Sequence, residues 1–163
     1  DRLNLDTQAD RDYYLACRQD AWQTIYGNLD RYDGAGFLDD AYDSWKTNPK
    51  SLVVAMAGSH RAGLLQLDPR RGQEAHEAYI SFLYLAPEQR NNGVGIQLIG
   101  KAVSLSRPLD YDKLGLVCSE QNAHALAFYQ KYGFHTIGTE AGAYGTLYRM
   151  QKDIGYTVRE DLM

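Results

Sequence analysis

The apolar positions of this chain change rhythm several times, and each change marks an element. Between residues 8 and 26, Tyr14, Cys17, Ala21, Trp22, Ile25 and Tyr26 recur at three- and four-residue intervals, the period of one helix face. Phe37, Leu38, Ala41, Tyr42 and Trp45 repeat that period after Gly34 and Gly36, and Asn48-Pro49 stops it. Leu52 to Ala57 is a continuous apolar run ended by Gly58-Ser59, and Ala62 to Leu67 follows at hairpin distance. A polar loop, Asp68 to Gly72, leads to a long strand from Tyr79 to Leu85. Helical spacing returns over 94–105, with Val94, Leu98, Ala102 and Leu105 on one stripe and Ile99 and Val103 beside it. Leu114 to Cys118 reads as a strand, and Ala123 to Tyr132 as a helix closed by Gly133, where a left-handed cap suits glycine. Phe134 to Ile137 and Leu147 to Gln151 read as closing strands, and Leu3 to Leu5 as a short opening one.

Hairpins early and strand-helix-strand connections late predict a mixed α/β (α+β) fold. One domain is expected over residues 1–163, with its core in 3–153 and a tail in 154–163; a chain of 163 residues can bury a core of that kind. No apolar run approaches the roughly 20 residues needed to cross a bilayer, so no membrane is expected. No basic stretch followed by an apolar one opens the chain, so no secretory signal is expected. The first residue is Asp1 rather than Met, which leaves a preceding segment open. Cys17 and Cys118 make neither a disulfide framework nor a metal quartet, and they fit a reduced, cytoplasmic protein. His60, His76, His124 and His135 show no ligand spacing, so no metal is expected. Residues 1–50 hold ten Asp against six Lys and Arg, which accounts for the whole net charge of −4. That balance argues against nucleic acid, which needs a basic stripe. It suits a cationic partner or simply a solvated helix face.

The chemistry concentrates in Leu83-Tyr84-Leu85-Ala86-Pro87-Glu88-Gln89-Arg90-Asn91-Asn92-Gly93-Val94-Gly95-Ile96. A strand ends, a polar turn follows, and two glycines open an amphipathic helix. The first helical amides lack intrahelical acceptors and, with the helix dipole behind them, suit an anion such as a pyrophosphate. Gly93 and Gly95 remove Cβ atoms where a ligand would approach the backbone. The spacing matches neither the GxGxxG dinucleotide fingerprint nor the GxxxxGK[ST] triphosphate loop. Arg90-x-x-Gly93-x-Gly95 instead resembles the (Gln/Arg)-x-x-Gly-x-(Gly/Ala) loop of the GNAT superfamily of acyl-CoA-dependent N-acyltransferases. Downstream, Asn122 to Phe134 is similar to that family's Asn-x-x-Ala-x-x-(Phe/Leu)-Tyr-x-Lys-x-Gly-Phe segment. The two motifs place the close resemblance in residues 79–138.

The resemblance implies a largely antiparallel sheet of six to seven strands with about four helices and one splayed parallel pair. It implies acetyl-CoA as cosubstrate, held by the backbone from Arg90 through Asn91, Asn92, Gly93, Val94 and Gly95 to Ile96. The strand of Leu83 and Leu85 would lie along the pantetheine arm, and Asn122, Phe128, Tyr129 and Lys131 would complete the cofactor site. Asn122 equally suits a helix N-cap, Phe128 the core, and Lys131 a last helical turn. Tyr129 holds the family's general-acid position: a phenol of ordinary pKa about 10 can protonate the departing thiolate. The strand carboxylate many members use as base is Tyr79 here, which leaves Glu77, Ser81 and Glu120, with Glu120 preferred. The expected acceptor is a small-molecule primary amine, attacking directly in a ternary complex. A protein or peptide acceptor, or a non-catalytic acyl-CoA sensor, are the alternatives. Trp22, Tyr26, Tyr32, Tyr42 and Trp45, with Asp39, Asp40 and Asp43, suggest an aromatic or cationic acceptor near the N-terminal helices. A homodimer is compatible with the sequence but not specified by it.

Overall fold

A computed structural model describes residues 1–90 and 93–155. Asn91 and Asn92, expected in the cofactor loop, and most of the expected tail lie outside the described residues. Six strands form one sheet: β1 (Leu52–Ala57), β2 (His60–Asp68), β3 (Glu77–Leu85), β4 (Lys113–Ser119), β5 (His135–Gly142) and β6 (Gly145–Asp153). Their order across the sheet is β1-β2-β3-β4-β6-β5, and every neighbouring pair is antiparallel except β3–β4.

Four helices cover the two faces. On one side, α1 (Gln8–Tyr26) and α2 (Gly34–Thr47) pack over Leu52, Val54 and Leu64 together with Leu3, Leu5, Tyr14, Cys17 and Ala41. On the other, α3 (Val94–Ser106) and α4 (Ala123–Lys131) pack over Val53, Leu65, Ala78, Ile80, Leu114, Leu116 and Cys118. Successive residues of β1 thus feed opposite cores, as strand alternation requires. The second core continues past the expected limit of residue 153, because Ile154 is buried and its N–H donates to Asp112 O at 2.9 Å.

The helix starts are chemically defined. Thr7 accepts the Asp10 N–H, Asp33 accepts the Gly36 N–H, and Asn122 accepts the Ala125 N–H, each as an N-cap. Asp33 therefore starts α2 at Gly34, ahead of the apolar period that opens at Phe37. The expected strand at Leu3 to Leu5 is not one. Arg2 makes an isolated bridge to Val53. The Asn4 side chain then accepts the Asp6 N–H at 2.9 Å, a local turn that competes with a ladder. Leu3 and Leu5 are apolar because they are buried, not because they pair. The closing strands run longer than their apolar residues suggest, since β5 is an exposed edge whose polar end, Gly138 to Gly142, still pairs with β6.

Between Gln66/Leu67 and Phe82/Ile80 the β2–β3 register slips, leaving Ser81 as an extra residue. This bulge reverses which face later side chains meet. Ala78 and Ile80 face α3, whereas Phe82 and Tyr84 face α1.

Burial keeps many acidic protons on. Desolvation raises the phenols of Tyr13, Tyr14, Tyr79, Tyr84 and Tyr129 above the ordinary 10.0, and pushes the thiols of Cys17 and Cys118 from 9.0 up to about 11. A folded pKa raised above the unfolded one contributes stability that is complete below the unfolded value and is lost as pH rises through the folded value. The urea midpoint should therefore hold steady from neutrality to about pH 9 and fall progressively at higher pH. A midpoint unchanged between pH 9 and 11 would contradict this.

Candidate active site

The site begins with a parting of strands. The β3–β4 ladder contains Glu77–Lys113, Ala78–Leu114 and Tyr79–Gly115, and then stops. Beyond it, β3 stays paired to β2 out to Leu85–Gly63, while β4 stays paired to β6 out to Ser119–Leu147. Each strand is thus held from behind while the edges facing the gap lose their strand partner. Such a gap offers unpaired main-chain groups to an extended, amide-bearing ligand. The Ser81 bulge lies at the first residues of the opening, and a bulge increases the local twist of its strand. Leu83 and Leu85 lie along this stretch, with their side chains against the α3–α4 core.

At the mouth of the gap stands the start of α3. Gly93 is the N-cap, with φ 80° and no side-chain cap, and the Gln97 N–H to Gly93 O bond is the first to close the helix. The amides of Val94, Gly95 and Ile96 precede that bond and so have no intrahelical acceptor. The two glycines have different reasons. A Cβ on Gly93 would meet nothing within 4 Å. A Cβ on Gly95 would lie 2.6 Å from Phe128 Cζ and 3.2 Å from Leu85 Cδ1. Gly95 therefore lets α4 seat its Phe128 ring against the first turn of α3. Arg90 is exposed just ahead of this turn, after a short 3-10 turn at Pro87–Gln89.

From the opposite strand, β4 leads into α4. Asn122 is occupied as the cap already described, with its Oδ1 3.2 Å from the Ala125 N. Lys131 is exposed one turn beyond Phe128, over the Tyr132 ring at 5.4 Å. Tyr129 is 8% exposed, with its ring edge-on to Phe128 and Phe134, both at 5.4 Å. Burial first, and then the neighbouring Cys118, hold its phenol well above the ordinary value. The hydroxyl therefore remains a proton donor throughout the neutral range, next to a strand that borders the gap. Burial also pushes the Cys118 thiol up to about 11, so it stays protonated near neutrality.

The carboxylates proposed from sequence separate along β4. Glu77 sits at the closed end: its carboxyl occupies the space over Gly115 and accepts Gln151 Nε2 at 2.6 Å. Glu120 is exposed at the open end, anchored by the Thr146 N–H at 3.4 Å. Tyr79 and Ser81 open onto a cavity of about 480 Å³ on the α1–α2 side of the gap, walled also by Arg18, Trp22, Phe37 and Tyr144. Of the aromatics expected at an acceptor site, Trp22 lines it. Tyr42 and Trp45 instead pack into the α1–α2 core. Sequence spacing did not reveal Arg18, Arg71 or Tyr144, because they converge from α1, the β2–β3 loop and the β5–β6 turn.

A mixed sheet opened at its single parallel pair, with a nearby helix N-terminus that has no side-chain cap, defines an α/β protein built around a gap between two strands. The model of the acetyltransferase (GNAT) family matches residues 11–134, and the chain belongs to that family. It is 29% identical over 105 residues to a probable N-acetyltransferase of Mycobacterium tuberculosis, covering 63% of this chain and 57% of that protein. It is 34% identical over 64 residues to an uncharacterized protein of Bacillus subtilis, covering 39% of this chain and 40% of that one. The matches thus span roughly half the length of these curated relatives. Among solved structures, the Ard1 protein of Thermoplasma volcanium superposes with a TM-score of 0.72 at 21% identity, covering 94% of this chain and 95% of its own. The PaiA N-acetyltransferase of Thermoplasma acidophilum, solved with coenzyme A, superposes at 0.67 with 20% identity, covering 94% and 96%. At these identities the structural likeness speaks for the fold. Among the described residues no helix is long and apolar enough to cross a membrane.

Proposed function

We propose that this protein transfers an acetyl group from acetyl-CoA to a primary amine of a small molecule or amino-acid derivative. The observation that carries the reading is the gap beyond Tyr79–Gly115 with the free amides of Val94, Gly95 and Ile96 at its mouth. The coenzyme A complex of the PaiA acetyltransferase, which has the same fold, supports the choice of ligand. In this reading the α3 amides and Arg90 hold the pyrophosphate, and the exposed edge of β3 at Leu83 and Leu85 pairs with the pantetheine arm. Phe128 and Asn122 flank the arm, and Lys131 faces phosphate. The amine enters from the α1–α2 cavity and attacks the thioester carbon directly, a route that the protonated, buried Cys118 thiol favours over a cysteine intermediate. The carbon–sulfur bond breaks, and Tyr129 gives its proton to the departing thiolate.

An alkyl amine must shed a proton before it attacks. We assign that proton to Glu120, through water. Three residues of strand, roughly 10 Å, separate Gly115 from Cys118, which leaves Glu77 at the wrong end of the gap from Tyr129. Glu120→Gln should lower kcat/KM about ten- to a hundredfold and move the rate maximum to higher pH, where more amine is free. A pH–rate profile identical to that of the parent enzyme would remove Glu120 from the reaction.

A cavity of about 480 Å³ falls in the range of small-molecule sites, roughly 300–1,000 Å³, which favours a small acceptor over a protein tail. The activity is tested by coenzyme A thiol release across amines, amino acids and peptides. Release with small amines supports the reading. Release with peptides alone would transfer it to a protein acetyltransferase.

A further inference from the structure

We infer that the acceptor carries an anionic group, carboxylate or phosphate, on a flat apolar body, and that Arg18, Arg31 and Arg71 receive that group. The inference rests on the reading of the α1–α2 cavity as the acceptor site.

Three arginines, at 18, 31 and 71, and three aspartates, at 33, 40 and 68, line the cavity, so counting charge decides nothing. Hydrogen bonding decides. Asp68 accepts the Arg70 backbone N–H and its Nε, both at 2.9 Å. Asp40 accepts Arg70 Nη2 at 2.6 Å and Gln66 Nε2 at 3.2 Å. Asp43 lies 3.7 Å from the same guanidinium. Asp33 caps α2 through the Gly36 N–H at 2.9 Å. Arg70, outside the lining, thus engages most of the acidic groups. Of the aspartates that suggested a cationic acceptor, Asp40 is hydrogen-bonded to Arg70, Asp43 lies within 3.7 Å of it, and neither Asp39 nor Asp43 lines the cavity.

The lining arginines are not matched in this way. None of the three forms an ion pair with a carboxylate among the described residues. Arg18 donates Nε to the Tyr14 phenol at 2.9 Å and Nη2 to Gln66 Oε1 at 3.4 Å, and it lies over Phe82 at 3.9 Å and Phe37 at 4.3 Å. Arg31 lies over Tyr144 at 5.0 Å and Arg71 over Tyr79 at 3.7 Å. These partners are rings and neutral oxygens, so each guanidinium keeps its charge, and Arg31 and Arg71 keep most of their N–H donors, for a planar anion such as carboxylate or phosphate. Two further carboxylates act on Tyr79 through space: Glu140, exposed on β5, and Glu77, bonded to Gln151; neither lines the cavity. Trp22, Phe37, Tyr79 and Tyr144 supply apolar walls for the rest of the molecule.

The test compares phenylalanine, its phosphonate counterpart, phenylalaninamide and 2-phenylethylamine as acceptors in acetyl-CoA-dependent thiol release at low salt. The two anionic amines should exceed the neutral-ended pair in kcat/KM at least about tenfold, and their mutual ranking tells carboxylate from phosphate. In Arg71→Gln and Arg31→Gln that ratio should fall toward one; because it is read within each variant, loss of folded protein cancels. Equal or better rates for the neutral-ended amines in the parent protein would overturn the inference, as would a ratio that survives both substitutions. Should no amine release thiol although coenzyme A still raises the melting temperature, acetyl transfer to such amines fails, and binding judges the charge. Phenylalanine stabilising the coenzyme A complex of the parent but not of Arg71→Gln supports the anion site. No stabilisation in either sinks it.

Discussion

Tyr129→Phe should lower kcat about a hundredfold, a loss of about 2.7 kcal/mol of transition-state stabilisation, with coenzyme A affinity nearly intact. The substitution keeps the ring that packs edge-on against Phe128 and Phe134 and removes only the hydroxyl. Because the phenol is buried and raised, it is not competing as a phenolate in the parent enzyme, so the variant isolates proton donation. A leaving group that needs less help, such as a more acidic aryl thioester, should recover much of the rate in the variant. Parent-like turnover with Tyr129→Phe would take this residue out of the chemistry and leave the thiolate to be protonated by solvent.

The second large effect falls on Gly95. Replacing it with Val puts carbon where the Phe128 ring already lies, at 2.6 Å from Cζ and 2.7 Å from Cε2. The helix-propensity gain over glycine, at most about 1 kcal/mol, cannot offset overpacking of about 1–3 kcal/mol along with displacement of the turn that carries the free amides. Coenzyme A affinity should drop at least about tenfold, and the melting temperature should fall. Adding Phe128→Ala should restore much of the stability, since the two sites share one contact and their effects cannot add. Gly93→Ala is the contrast: its Cβ meets nothing within 4 Å, and its φ of 80° costs only the strain of a left-handed residue. A Gly95→Val protein as stable and as ligand-competent as Gly93→Ala would contradict this division of roles.

These two glycines mark the limit of what the chain reveals in one dimension. Their spacing after an apolar strand located the helix start, but both drew the same explanation, ligand access. The packing of Phe128 on Gly95 joins residues 33 apart in sequence, and no local pattern records it. The long apolar periods of α1 and α3 were legible because burial on one face leaves a repeating trace. Ser81 left none, since a bulge is a difference between two strands' registers. The exposed end of β5 was missed for a related reason: an edge strand needs no apolar alternation to pair. Leu3 and Leu5 misled in the opposite direction, because burial alone makes residues apolar without making them a strand. The acidic excess of the first 50 residues was real, yet its meaning depended on Arg70, which reaches Asp40 and Asp43 from another element.

The proposed chemistry depends on main-chain donors at the start of α3 and on the parted edges of β3 and β4. Amide NMR of the labelled protein titrated with coenzyme A reads those groups one by one. Saturable shifts are expected at Val94, Gly95 and Ile96 and along Leu83 to Leu85, with small changes in α1. Saturable binding whose shifts avoid the α3 amides, or no shift at millimolar coenzyme A, would contradict that expectation.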